Sequence, residues 1–323
     1  MSGPEPGGCG PENAAGGGAR QGAARARARG GEALVCGAGL LWGTAGVWVH
    51  RLEAAGLPPL QIVALRMLVA AAAFAAGAVL LPAGRRALRV PWRDAWCFVG
   101  TGVVSIGGFS WCYFETIRTS SLALAVILLY TAPVFVMLFS LAFFRERMTW
   151  RKALACAMAM GGVALTAGGA GGGWMGAGGG RALATGLLSG IGYALYSIFG
   201  RAALNRGHSS FRVTLWTFLF AAPVMAIAAR PAAWADAVRS GGAPVGMAAL
   251  MLPFAATLLP YLLYTRGLQR ISNGKASVLA FAEPLMACLL GVFCLHQRLT
   301  VPMAAGIACV FAALCLLAPA REA

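Results

Sequence analysis

The chain has 323 residues, of which 59% are hydrophobic and only 11% are charged, and its mean hydropathy is +0.74. A soluble domain needs a charged surface, so this composition excludes an ordinary soluble protein and favours one surrounded by lipid. The net charge of +16 is concentrated in short clusters between apolar runs, which is typical of membrane loops and argues against a nucleic-acid partner.

The first segment, residues 1–31, is rich in Gly, Ala, Pro and Arg and has no apolar face. We expect it to be a disordered cytoplasmic tail. The alternative is the basic region of a signal peptide ahead of the apolar run that starts at Ala33. That run is part of an internal repeat, which favours the tail. A second short tail is expected at residues 320–323.

Ten apolar segments follow, each of roughly 17 to 25 residues, which is the length a helix needs to cross about 30 Å of hydrocarbon. Lipid offers no hydrogen bonds to the backbone, so each segment is expected to be an α-helix. The predicted fold is an all-α integral membrane protein with ten transmembrane helices. The predicted spans are 33–49, 60–81, 95–117, 120–143, 151–168, 182–200, 211–229, 245–265, 274–295 and 301–318.

The loops between these spans differ in basic content. Most Arg and Lys residues fall on the side that carries the N-terminal tail, for example in the cluster at residues 145–152. The positive-inside rule makes this side cytoplasmic. We therefore expect a multi-pass protein of the bacterial inner membrane with both termini in the cytoplasm.

The two halves of the chain resemble each other. With Pro133 placed over Pro284, an offset of 151 residues, two successive spans align without gaps. Further pairs at this offset are Tyr113 with Tyr264, Ser121 with Ser272, Arg147 with Arg298 and Thr149 with Thr300. The chain is therefore divided into a first repeat at 32–168, a Gly-rich linker at 169–181 and a second repeat at 182–319.

Each repeat holds five predicted spans, an odd number, so the second repeat must be inverted in the membrane relative to the first. Inverted repeats recur in secondary transporters, in which two similar halves exchange conformations around a central site. The linker has a GxGxxG spacing, but no strand precedes it, so a flexible linker is favoured over a dinucleotide site. The pairs Gly39/Gly43 and Gly186/Gly190 predict close helix packing near the start of each repeat.

Several runs in this order and spacing resemble the EamA family of the drug/metabolite transporter superfamily. In chain order they are Leu41-Trp42-Gly43, Leu65-Arg66, Tyr130-Thr131-Ala132-Pro133, residues 143–149, Ala282-Glu283-Pro284 and residues 295–300. The resemblance covers residues 33–319 and implies two inverted five-helix EamA-type repeats around a central cavity. One departure is Gln297, which stands where Glu146 supplies an acid in the first half.

The resemblance implies a secondary transporter, with export favoured over uptake, of small metabolites, amino acids or drug-like compounds. Its partners would be a small-molecule substrate and the lipid bilayer, with proton coupling and a homodimer left open. A channel-like or facilitative pore is the main alternative, and a polytopic membrane enzyme is a more remote one.

Glu283 is the most informative single residue, since it lies about ten residues into its span, close to the bilayer midplane. A charged acid on an isolated helix there costs about 2.5 kcal/mol or more, so its side chain should face the bundle interior. We interpret it as a substrate- or proton-binding group, the alternative being a protonated Glu bonded to a neighbouring helix. Pro284 and Pro133 are expected either to line a site as hinges or only to aid packing.

Arg66 is the one basic residue well inside a predicted span. It could bind an anionic group of the substrate, pair with Glu115 near the end of the third span, or extend to the interface. Glu146, at the cytoplasmic end of the fourth span, is a candidate structural residue.

Aromatic residues recur on the candidate lining spans. A buried tyrosine needs a partner for its hydroxyl, which a water-filled cavity provides, and Trp42, Tyr130 and Tyr193 are the candidate cavity residues. Residues near span ends are interpreted instead as an interfacial belt, namely Trp111, Tyr113 and Tyr261.

The sequence offers no pattern for enzymatic chemistry. The three His residues lie near span ends without metal-ligand spacing, and the nine cysteines show no paired spacing with His. No phosphate loop is present. We therefore predict no catalytic residue, no metal, no cofactor and no ATP-driven step within this chain.

Overall fold

The structure is a computed structural model of the chain, and it contains ten long helical segments in the residues it describes, besides a short 3-10 helix at Arg85–Leu88. Those residues are 12–80, 84–169, 179–229, 234, 239, 241–295 and 299–317. The segments are named α1 (Glu12–Gly43 with Ala45–Ala54), α2 (Pro59–Leu80), α3 (Trp92–Thr119), α4 (Leu122–Leu129 with Ala132–Phe144), α5 (Trp150–Gly169), α6 (Gly179–Asn205), α7 (Ser210–Ala229), α8 (Gly242–Leu268), α9 (Asn273–Leu279 with Ala282–Cys294) and α10 (Val301–Leu317).

Most of these segments have the length and composition of membrane spans. Within the described ranges, eight of them, α1 to α4 and α6 to α9, are long and apolar enough to cross a membrane. The apolar helix α10 has 17 residues, and α5 has 20. The protein is thus an all-helical membrane protein of eight to ten spans.

Helix α1 begins earlier than the sequence predicts. It starts at Glu12, inside the segment 1–31 for which we expected disorder. Ala and Arg favour helix, and Ala28 packs against the main hydrophobic core, so the apolar helix extends towards the N-terminus. The rest of the predicted tails, and residues 170–178 of the predicted linker, lie outside the described residues.

Both α4 and α9 are interrupted near the middle, at residues 130–131 and 280–281. When the two repeats are aligned at the offset of 151, the two interruptions coincide to within one residue. Pro133 and Pro284 lie in the first turn of the second half of each helix, where a missing backbone N–H costs no intrahelical hydrogen bond. Each interruption therefore ends two or three residues before its proline.

The first halves of α4 and α9 also begin alike. Ser121 and Ser272 are their N-cap residues, and their hydroxyls accept hydrogen bonds from the backbone N–H of Leu124 at 3.2 Å and of Lys275 at 3.4 Å. Because these serines are partners at the same offset, the internal repeat of the sequence is also a repeat of local structure.

Wide helical turns recur in the two halves as well. The stretch Gly100–Gly107 of α3 and the stretch Phe254–Leu258 of α8 are π-helical. The offset of 151 places residues 254–258 over residues 103–107. Such turns rotate the residues that follow and are frequent at functional sites. Here they precede Phe109 and Tyr261, which line the central cavity.

Glycines let α1 and α6 approach the interrupted helices. A Cβ on Gly43 of α1 would lie 2.6 Å from the carbonyl oxygen of Glu283, and one on Gly190 of α6 would lie 2.8 Å from that of Leu128. Both distances are too short for a side chain. The two glycines thus bring their helices against the interruptions, as their small-residue spacing predicts.

Helices α5 and α10 pack on each other along their lengths. A Cβ on Gly162 of α5 would lie 2.7 Å from the carbonyl oxygen of Gly306, and a Cβ on Gly306 of α10 would lie closer still to the carbonyl oxygen of Gly162. Adding a side chain at either position would force the backbones apart. This contact fixes the distance between the last helices of the two repeats.

Replacing Gly162 with Leu should destabilise the protein, because the side chain would overpack this interface at a cost of about 1–3 kcal/mol. The expected result is a lower melting temperature in detergent. Its neighbour Gly161 faces open space, so Gly161→Leu is a matched control that should melt close to the parent. Equal losses in both variants would contradict the close contact.

Candidate functional site

A cavity of about 550 Å³ lies between the two halves of the bundle. It is lined by side chains from α1, α2, α3, α4, α6, α8 and α9, including Trp42, Arg66, Tyr113, Tyr193, Tyr261 and Glu283. It reaches the end of the bundle where α1 connects to α2, because His50, Glu53 and Pro59 also line it. We call this end the open end, and the opposite end, with Glu146 and Asn273, the closed end.

Glu283 projects into this cavity from the first turn of the second half of α9. The interruption at 280–281 leaves the N-terminus of that half-helix in the middle of the membrane, where its positive dipole end favours an acid. The hydroxyl of Tyr193 donates a hydrogen bond to Oε2 of Glu283 at 3.4 Å. The acid therefore faces the bundle interior, has a neighbouring hydroxyl and remains reachable from the cavity.

Arg66 lines the same cavity from α2. Its Nε atom is buried without a hydrogen-bond partner among the described residues. The alternative in which Arg66 pairs with Glu115 is not what the structure shows, since Glu115 instead binds Arg118 at 2.8 Å and Arg181 at 2.7 Å. Arg118 lies one turn further along α3, and Arg181 lies at the start of α6. The guanidinium groups of both residues therefore reach the Glu115 carboxylate at the surface of the open end.

An aromatic cluster closes the cavity on the side away from the open end. The Trp42 ring packs against those of Tyr261 and Tyr264, with centroids 5.0 and 5.4 Å away, and Tyr196 packs against Tyr261 at 5.2 Å. Two of the hydroxyls are satisfied locally, since Tyr196 pairs with Thr265 and Tyr264 pairs with Ser197, each at 2.8 Å. This cluster, which we call the aromatic floor, is the base of the cavity.

Two tyrosines assigned to an interfacial belt belong to the site instead. Tyr261 is only 5% exposed within the aromatic floor, and Tyr113 lines the cavity together with Glu283. Their positions near span ends were misleading because α3 and α8 extend beyond the predicted spans and contain π-helical turns. Trp111 is 56% exposed, as expected for a lipid-facing residue.

The interrupted helices meet through Tyr130, which stacks on Phe281 with ring centroids 5.5 Å apart. The two residues are partners at the offset of 151. Phe281 was not among the candidate residues taken from the sequence, although the alignment of the two repeats places it over Tyr130. Tyr130 also lines a second cavity that reaches Glu283 from the side of α5 and α10.

At the closed end, Glu146 joins the two repeats. Its carboxylate accepts hydrogen bonds from the backbone N–H groups of Asn273 at 3.0 Å and Gly274 at 3.3 Å. It thereby caps the N-terminus of the first half of α9 from a position just beyond the end of α4. Nε of Arg201 donates to Oδ1 of Asn273 at 2.8 Å, and Arg201 also donates to the carbonyl oxygen of Ile271.

Two further contacts tie other helices to the same place. Nζ of Lys275 binds Oε1 of Glu32 at 2.7 Å, which links α9 to α1. Nζ of Lys152 donates to the hydroxyl of Ser272 at 3.3 Å, which links α5 to the start of α9. Residues from α1, α4, α5, α6 and α9 thus converge on the closed end. Gln297, the counterpart of Glu146, lies outside the described residues.

The arrangement suits binding of a small molecule. Over the described residues, no group of three or more His, Cys, Asp or Glu side chains could hold a metal ion. An acid and a base, Glu283 and Arg66, line one cavity together with tyrosine hydroxyls and apolar surface. A few polar groups in an otherwise apolar cavity fix the orientation of a bound compound.

Comparisons with known proteins agree with this architecture. An uncharacterized transporter of Archaeoglobus fulgidus is 26% identical over 254 residues, which is 77% of this chain and 85% of that protein. The uncharacterized transporter YojE of Bacillus subtilis is 25% identical over 225 residues, 68% of each chain. A solved crystal structure has the same fold, with a TM-score of 0.76 and 21% identity over 89% of this chain and 96% of that one.

The sequence profile of the EamA-like transporter family matches the chain twice, at residues 29–168 and 180–318. These matches include both interrupted helices and both π-helical turns. The protein is therefore a membrane transporter that belongs to the EamA-like transporter family.

Proposed function

We propose that this protein is a secondary transporter, with export favoured, of small metabolites, amino acids or drug-like compounds. It moves them across the bacterial inner membrane by alternating access. The observation that carries the proposal is a cavity around Glu283 that is open at one end of the bundle and closed at the other. The ten helical segments act as two inverted five-helix repeats, 32–168 and 182–319. Two such halves can exchange roles around a fixed site.

The positive-inside rule gives the cavity a direction. The clusters at residues 85–93 and 145–152 fall at the closed end, which makes this end cytoplasmic together with both termini. The open end then faces the periplasm. In this conformation the site can release an exported compound, and the opposite conformation would load it from the cytoplasm.

The interrupted helices α4 and α9 are the elements that move between the two conformations. The second half of α4 packs on the first half of α9 at the closed end. The first half of α4 and the second half of α9 line the central cavity. If the half-helices rock about the breaks before Pro133 and Pro284, the two half-helices packed at the closed end would separate. The two half-helices that line the cavity would then come together. The stack of Tyr130 on Phe281 lies at the crossing point and can persist in both states.

Proton coupling is the second part of the proposal and depends on Glu283. A buried acid in a central cavity can exchange its proton for a substrate group, so that the proton and the substrate do not bind at the same time. A facilitative carrier has the same cavity and the same two states without this exchange. The two mechanisms differ only in whether substrate accumulates against its gradient.

Replacing Glu283 with Gln should abolish accumulation against a gradient, because the side chain keeps its shape but no longer binds and releases a proton. The measurement compares metabolites inside and outside cells that overexpress parent or variant. Glu115→Gln is the matched control, since Glu115 is an acid of the same bundle outside the cavity. Unchanged export by Glu283→Gln, at equal expression, would rule out proton coupling through this residue.

Replacing Glu146 with Ala should loosen the closed end, because two charge-assisted hydrogen bonds are lost, each worth about 1.5–3 kcal/mol. The readout is the thiol of an added Ser140→Cys substitution. Ser140 is 1% exposed and lies beside Glu146. The modification rate of this thiol by a thiol reagent, resolved by peptide mass spectrometry, should rise about tenfold or more. Glu53→Ala, at the open end, should leave this rate unchanged. An unchanged rate in Glu146→Ala would exclude Glu146 from holding this end closed.

A further inference from the structure

A second cavity adjoins the central one on the far side of Glu283. It has a volume of about 500 Å³ and lies among α3, α4, α5, α9 and α10. We call it the side chamber; its own lining residues include Val126, Val163, Thr166, Ala287, Cys288 and Met303. Its volume falls in the range of cavities that hold a small organic ligand.

The side chamber and the central cavity share a wall. Tyr113, Leu122, Leu129 and Glu283 line both spaces. Glu283 thus faces the central cavity on one side and the side chamber on the other. A molecule bound at its carboxylate can extend into either.

The two spaces differ in charge. The central cavity carries the basic Arg66 as well as acids, whereas Glu283 is the one charged side chain among the described residues that line the side chamber. The rest of the chamber is mainly aliphatic, with the rings of Tyr113 and Tyr130 beside the acid. The carboxylate attracts a cation, and the aliphatic wall favours an apolar group.

We propose that the side chamber is a binding subsite for the apolar part of an amphipathic ammonium compound whose charged group contacts Glu283. This deepens the proposed function, on which it rests, by assigning a chemical class to part of the substrate. The apolar chain would enter between α4 and α9 and end against Val163 and Met303, so the chamber would set the length of chain accepted.

Cys288 offers a direct test, because it lines the side chamber and is half-buried. The test measures its modification by N-ethylmaleimide in the purified parent protein, resolved by peptide mass spectrometry. Primary alkylammonium ions from butyl to octyl are the probes. Cys294, exposed further along α9, is the internal reference for partitioning into detergent.

The alkylammonium ions should slow modification of Cys288 and leave Cys294 unchanged. Each added methylene should lower the concentration needed for protection about three- to fourfold, as expected for burial of one CH₂ group. Val126→Phe, which fills the chamber, should remove the protection by octylammonium. Val79→Phe, at an exposed position of α2, is the matched control and should keep it.

Three results would overturn the subsite: protection that does not depend on chain length, equal protection of Cys288 and Cys294, or a Cys288 already inaccessible because a lipid chain fills the chamber. The chain-length series uses the parent protein, so it stands even if Val126→Phe does not fold. Export that requires Glu283, together with any of these three results, would leave the proposed function intact and reject only the subsite.

Discussion

The fold depends on one constraint, which is that two helices are interrupted in the middle of a membrane. Backbone groups freed at such a break have no water to bind, so the protein must satisfy or cover them. At the break in α4, the hydroxyl of Thr131 donates to the carbonyl oxygen of Leu128 at 2.6 Å. Glycine-containing helices, α1 on α9 and α6 on α4, cover the two breaks, and the breaks meet each other through Tyr130 and Phe281.

This constraint explains the position of the site. An acid in the middle of a continuous helix would gain nothing from the helix dipole, whereas Glu283 lies at the N-terminus of a half-helix. The same break divides α9 into a half that packs at the closed end and a half that lines the cavity. Binding chemistry and the moving element therefore share one stretch of chain, from Asn273 to Cys294.

Much of this was predictable from the sequence, because helix length, repeat spacing and the positions of prolines are local features. The offset of 151 predicts the paired breaks, and the depth of Glu283 predicts an inward-facing acid. The pairing of Arg66 with Glu115, one of three alternatives, is not found. Depth in a span does not show which basic side chain reaches an acid, and Arg118 and Arg181 reach Glu115 instead. The Glu146 cap joins residues more than a hundred positions apart, and no local pattern indicates it.

The central claim is that the two ends of the bundle open in opposition. Spin labels in a background without the nine native cysteines can measure this. One pair is placed at Leu122 and Phe293 near the open end and another at Phe143 and Gln269 near the closed end, all of them exposed positions. Alternating access predicts two populations, in which a shorter distance at the open end accompanies a longer distance at the closed end. Distances that change in the same direction at both ends, or a single fixed distance at each end in the parent and in Glu146→Ala, would contradict it.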